Sequence, residues 1–193
     1  VIRLVRLHLS SRRFPAAVAL VAGCAVVLRV ALTRTWDAYG AVQLPLVFEA
    51  ACAAVIAVTT AGPFGDAERV CGRRLPWLRL GTALFLTAAA LGALAAAGAG
   101  TQMTRDTLGL IGIGLLCAAA VGGRLGWTAP AVYLLVAVYA IYTQWHGPAL
   151  TSPWIWPGRP PDDVGAALCA GLVFLTGLAA ITVRGPRDPA GEQ

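Results

Sequence analysis

The chain reads as an all-α integral membrane protein with six transmembrane helices. Three observations predict this: the apolar fraction, the length of the apolar runs, and the alternation of arginine from one connection to the next. Of 193 residues, 58% are hydrophobic and 12% charged, where a soluble domain carries roughly 25% charged residues. Mean hydropathy is +0.73. A soluble core of this size has no room for so many apolar side chains, whereas lipid solvates them directly.

Residues 1–13, VIRLVRLHLSSRR, open the chain. On a helix Arg3, Arg6 and Ser10 share one stripe at spacings of three and four, with apolar residues over the rest. That pattern predicts an amphipathic interfacial helix. The rival reading, a signal-peptide n-region, is disfavoured by an apolar run longer than the usual ~7–15 residues. Six runs approaching or reaching the ~20 residues needed to cross a bilayer follow. They cover about 14–32, 42–61, 81–99, 107–121, 127–144 and 164–183 of a domain spanning 14–183. Pro15 sits where a missing N–H costs nothing, and Arg29 near the far end of the first span can snorkel to the interface. Thr101–Arg105 reads as a tight polar turn and Asp106 as an N-cap for the short, glycine-rich fourth span. Asp162 or Asp163 suits the cap of the sixth. The tail, 184–193, has a polar, Pro- and Gly-containing composition that predicts disorder.

All fifteen basic residues are arginine. Eleven fall in the N-terminal segment, the 62–80 connection, the 122–126 turn and the tail, and four (Arg29, Arg34, Arg105 and Arg159) on the opposite side. The positive-inside rule then places both termini and 62–80 in the cytoplasm of a bacterial cell membrane. Small residues repeat at every fourth position, as in Gly114, Ala118 and Gly122, Gly92 and Ala96, or Ala167 and Gly171. Such faces admit close helix contact, within one bundle or between two copies.

Chemistry is sparse. Without lysine there is neither a P-loop nor a Schiff base. The five cysteines form no C-x-x-C pair and read as small apolar packing residues. His8 and His146 have no metal-ligand spacing, and the serines all lie outside the spans, so no hydrolase triad is formed. The chain is expected to be no enzyme, to bind no metal or cofactor, and to have no nucleic-acid partner. Glu49 is the one acidic residue well inside an apolar run. It enters about two turns down the second span, roughly 10 Å at ~1.5 Å per residue. Two readings stand: an ion pair with Arg29, or part of a polar pathway, since an intramembrane ionisable group is costly. The aromatic, proline-rich 144–163 stretch suits an interfacial anchor more than a ligand lid.

The stretch GPFGDAERVCGRRLPWLRL, residues 62–80, carries Asp66 and Glu68 early, then Arg69, Arg73 and Arg74, which suits a short helix and its dipole. Pro76 is expected to end it. This is either a basic segment that sets topology or a docking helix for a soluble partner.

The order of these parts resembles the permease subunits of type-2 ABC exporters, in a compact, actinobacterial-like variant. The resemblance covers nearly the whole chain in layout. It implies that Phe64–Arg74 is a coupling helix, with Asp66, Glu68, Arg69, Arg73 and Arg74 touching a separate ABC ATPase subunit. It also implies a second permease copy or paralogue, short re-entrant helices in the last outer connection, and a stroke delivered through 62–80. The alternatives are a gradient-driven small transporter or channel using Glu49, and a non-transporting membrane scaffold or immunity protein.

Overall fold

The computed structural model describes residues 14–33, 38–60, 75–143 and 152–186. They form six α-helices: α1 (Phe14–Leu32), α2 (Ala38–Thr59), α3 (Leu75–Ala97), α4 (Thr101–Ala120), α5 (Thr128–Thr143) and α6 (Val164–Val183). Short 3-10 turns occupy Gly123–Leu125 and Trp156–Gly158. The amphipathic segment 1–13, residues 61–74 of the 62–80 stretch, and 187–193 of the tail lie outside the described residues.

Five stretches are long and apolar enough to cross a membrane: Pro15–Leu32, Pro76–Ala97, Thr101–Ala120, Gly123–Thr143 and Val164–Val183. In α2 the apolar stretch Leu44–Thr59 is shorter. The protein is therefore largely helical, with several helices of membrane length. Three helices begin earlier than the apolar runs suggest, α2 at Ala38 among them. α3 starts at Leu75 and takes Pro76 into its first turn, where proline's missing N–H has no helical acceptor to lose. Pro76 thus lies within α3, as does Arg79. α4 starts at Thr101, so Thr101–Arg105 is helix rather than turn. Its N-cap is Gly100, in extended conformation with no side-chain cap. Asp106 caps nothing and lies inside the helix, buried.

α4 is the central element. It buries 56% of its length against protein, compared with 22% to 33% for the other four membrane-length stretches, and it is the most polar of the five. It packs most extensively on α6 and then on α2, with further contacts to α5 and α3. α1 joins α2 and α3 at the flank. Glycines make the α4–α6 seam close. A Cβ on Gly112 would stand 2.6 Å from the backbone N and Cα of Phe174, and one on Gly177 would stand 2.5 Å from the Gly112 carbonyl oxygen. Two backbones meet there with nothing between them, the geometry that small residues permit in lipid. Gly114 seats less tightly, against the side chains of Ala57 and Pro130. By contrast Gly92 and Gly171 have nothing within 4 Å, and Ala96 and Ala167 are exposed. Their small faces point away from the bundle. Cys52 is buried in the core with Cys24 against it, and Cys169 packs near Trp156.

Two glycine substitutions separate these environments. Gly112→Ala forces a methyl into backbone and is expected to lower stability by about 1–3 kcal/mol. Gly171→Ala adds a methyl in open space on a helix, and its expected effect is neutral to about 1 kcal/mol stabilising. Loss of the monodisperse peak on heating in detergent measures both, and equal melting of the two variants would contradict the α4–α6 contact.

Candidate functional site

The segment 152–163, SPWIWPGRPPDD, folds back onto the bundle. Four of its residues are proline. Proline fixes φ and removes a donor, so the segment makes only a few turn bonds of its own, with Ser152, Ile155, Trp156 and Pro160 carbonyls accepting from Ile155, Gly158, Arg159 and Asp163 amides, and its inward carbonyls have lone pairs left for further donors. Arg105 supplies them. Its Nη1 donates to Pro160 O at 2.8 Å, and its Nη2 donates to Trp156 O at 2.5 Å and Arg159 O at 3.1 Å. Its Nε donates to Asp106 Oδ1 at 3.0 Å. One guanidinium therefore ties α4 to three carbonyls of the segment while neutralised by its sequence neighbour. Gln102 Nε2 adds a bond to Pro157 O at 3.0 Å, and the Tyr133 hydroxyl donates to Trp154 O at 2.9 Å. At the far end Asp163 caps α6, accepting from the Ala166 amide at 2.8 Å, and pairs with Arg159.

The tether brings Trp156 inside. Its side chain is buried among Ala166 and Ala170 of α6 and Ile113 of α4. Its ring stacks on Tyr133 with centroids 4.6 Å apart and planes at 22°. A Cβ on Gly109 would stand 2.5 Å from Trp156 Cζ2, so only glycine at 109 leaves room for the indole. An interfacial anchor is thus not what Trp156 provides. Trp154, half exposed beside it, is the aromatic that faces outward.

The buried carboxylate Glu49 belongs to α2. α2 begins at Ala38, so Glu49 sits near its midpoint, about 16 Å from its start at ~1.5 Å per residue, deeper than the apolar run alone suggests. It is 2% exposed, and its Oε2 has no hydrogen-bond partner among the described residues. The charges closest to it in effect are those of Asp106 and Arg105 on α4. Arg29 is elsewhere: exposed, with Nη1 directed at Ala97 O at 3.4 Å, it closes the end of α3. The structure does not bring Arg29 and Glu49 together. It brings Glu49 toward Arg105 and Asp106, two residues that sequence reading had assigned to a turn and a cap. Adjacent opposite charges immediately before a glycine-rich run that starts at Gly109 were the available signal. Asp66, Glu68, Arg69, Arg73 and Arg74 lie outside the described residues.

Thr107 completes the cluster. It is fully buried, and its Oγ1 also lacks a partner among the described residues. No group of three or more His, Cys, Asp or Glu among the described residues is placed to hold a metal ion.

No protein-family model, no curated protein and no solved structure matches the chain. Its physical chemistry establishes a helical, multi-span membrane protein with a buried polar cluster at its centre.

Two outcomes follow from this geometry. Arg105→Gln removes charge-assisted bonds worth about 1.5–3 kcal/mol, so hydrogen exchange of the 152–163 amides is expected to quicken by more than ~10-fold. Unchanged exchange would show that the segment is held by packing alone. The second concerns Asp163, outside the spans. The Ala166 amide, then Arg159, hold its carboxyl below the ordinary carboxylate range despite an opposing desolvation effect. A depressed folded value means the cap is fully stabilising above the unfolded value of ~3.9 and is lost as pH falls below it. The advantage of wild type over Asp163→Asn in Ala166 amide protection should therefore persist at neutral pH and shrink below about pH 4.

Proposed function

We propose that the chain is a gradient-driven membrane transport protein in which Glu49 is the intramembrane ion-binding group. One observation carries this reading: a carboxylate at the middle of α2, buried, with an oxygen that no described protein atom satisfies. Burying a charge without a partner is costly, and such groups in membrane helices serve ion or proton pathways far more often than packing. The reading takes all six helices as spans, with the N-terminal amphipathic helix, both termini and 62–80 on the cytoplasmic face of a bacterial plasma membrane. The arginine distribution supports that orientation. The 152–163 segment then lies on the outer face, with Trp156 buried between α4, α5 and α6. In this reading the chain has no catalytic, nucleotide or metal site of its own.

A second reading is favoured by one feature, the folding back of 152–163 between α5 and α6, which is what the type-2 ABC exporter layout implies. There the chain is a permease subunit, 62–80 docks a separate ATPase through Asp66, Glu68, Arg69, Arg73 and Arg74, and a second copy or paralogue faces it. Reversing the charge of Arg73 and Arg74 would then abolish co-purification with that ATPase.

Proteoliposomes with imposed proton, sodium or potassium gradients, read with ion-sensitive dyes, test the first reading. Wild type is expected to dissipate one of these gradients, and Glu49→Gln to reduce that flux by at least ~10-fold, the equivalent of about 1.4 kcal/mol on the rate-limiting barrier. Equal flux in wild type, Glu49→Gln and protein-free liposomes would overturn it.

A further inference from the structure

We propose that Cys24 and Cys52 are a redox pair, which a lipid-soluble quinone oxidises to an intramolecular disulfide joining α1 to α2. The inference goes beyond the transport reading and does not depend on it.

Register and contact place the two sulfurs together. Residues 33–37 alone connect α1 to α2, and the two helices pack on one another. So short a connection makes packed neighbours antiparallel. Leu28 of α1 shares a cluster with Leu94 and Ala97, and Phe48 of α2 packs against that cluster. About one turn from this level, back along α1 and onward along α2, stand Cys24 and Cys52. There the Cys52 thiol meets the Cys24 thiol within hydrogen-bonding reach. Both cysteines are free. Sequence spacing does not reveal the pair, because its two members belong to neighbouring helices. A disulfide draws the sulfur centres to ~2.05 Å and the Cβ atoms to ~3.5–4.5 Å. Ala25 beside Cys24 and Ala53 beside Cys52 are both buried, and residues so small let helix backbones approach closely. Closing the pair pins α1 to the turn of α2 that follows Glu49.

The surroundings select the oxidant. Cys52 is 1% exposed. Cys24 is half-buried, next to Gly23, whose Cβ position has nothing within 4 Å. Gly23 lies on one stripe with Leu20 and Val27, both exposed. Cys24 is therefore the sulfur that opens outward, onto an apolar flank. A charged oxidant would have to shed its hydration to enter there, and a thiolate left behind would be penalised for the same reason. A quinone is uncharged, dissolves in lipid, and takes up two electrons together with two protons. Both S–H bonds break, one S–S bond forms, and the quinone leaves as the hydroquinone. No net charge remains in the bundle.

The test uses the intact protein in lipid vesicles with duroquinone, whose fully methylated ring disfavours addition of a thiol. The chain has no lysine, and trypsin cleaves after arginine, so Cys24 falls in peptide 14–29, Cys52 in 35–69 and Cys71 in 70–73. Without reductant, mass spectrometry is expected to find 14–29 linked to 35–69, two hydrogens lighter than the separate peptides, and a reductant is expected to part them. The yield is expected to be independent of the protein-to-lipid ratio. Cys24→Ser, close to isosteric, is expected to abolish the link. Ferricyanide, a charged oxidant confined to water, is expected to form it at least ~10-fold more slowly, the equivalent of about 1.4 kcal/mol on the barrier. Absence of the link after quinone treatment would overturn the pair. A yield that rises with protein density in the membrane would assign the link to two copies instead of one chain. Equal rates with ferricyanide and duroquinone would overturn the route through lipid.

Discussion

The guanidinium of Arg105 is the constraint on which the rest of this structure depends. A proline-rich segment cannot lie inside a membrane bundle with its carbonyls unsatisfied. Arg105 meets Pro160, Trp156 and Arg159 from one rigid fork, and Asp106 keeps the fork neutral. Lysine, a point charge on a flexible stem, offers fewer donors and no planar geometry. The pair must sit within α4 rather than before it, because only a helical backbone at 105 carries the guanidinium under the segment. That is why α4 begins at Thr101 despite the polarity of its first turn and the absence of a side-chain cap.

From this tether follows the shape of the core. With the segment drawn inward, Trp156 occupies the gap between α4, α5 and α6, and Gly109 is the residue that makes the gap wide enough. Below it, Gly112 and Gly177 bring two backbones into contact, so α4 and α6 cannot slide apart without losing packing across the whole seam. Hydrophobic burial contributes little to such contacts in lipid, and van der Waals fit contributes most. The fit is rigid on the α4–α6 side. Polar atoms left without a hydrogen-bond partner among the described residues include Glu49 Oε2 on α2, Thr107 Oγ1 on α4 and the indole Nε1 of Trp156.

Much of the architecture was legible in the sequence. Apolar length marked every helix, and α1 and α6 keep the bounds that the apolar runs gave them, because each run ends at a polar residue or cap. Asp163 was readable as a cap because it precedes an uninterrupted apolar run. Glu49 stood out because an acid inside an apolar run is rare. What pattern reading missed were partners distant in sequence. Arg105 and Asp106 look like a solvent-facing turn when only neighbours are counted. The backbone acceptors of Arg105 are 51 to 55 residues away, and no local period reveals them. Arg29 looked like the counter-ion of Glu49 because depth alone was compared. Rotation about the helix axis, which depth does not contain, turns Arg29 toward Ala97 instead. Trp156 was grouped with interfacial tryptophans for the same reason, while the glycine that admits it lies on another helix.

The same arginine that satisfies the segment leaves the cluster one charge short. Had Arg105 been free to pair with Glu49 as well as Asp106, the two acids would share one cation and the segment would lose its donors. In the structure the guanidinium goes to the segment, adding a charge-assisted bond to Trp156 O and Pro160 O, which also accept backbone amides, and meeting Arg159 O. Glu49 is thereby left buried, with Oε2 lacking a hydrogen-bond partner among the described residues, in the field of an arginine whose bonds are already spoken for.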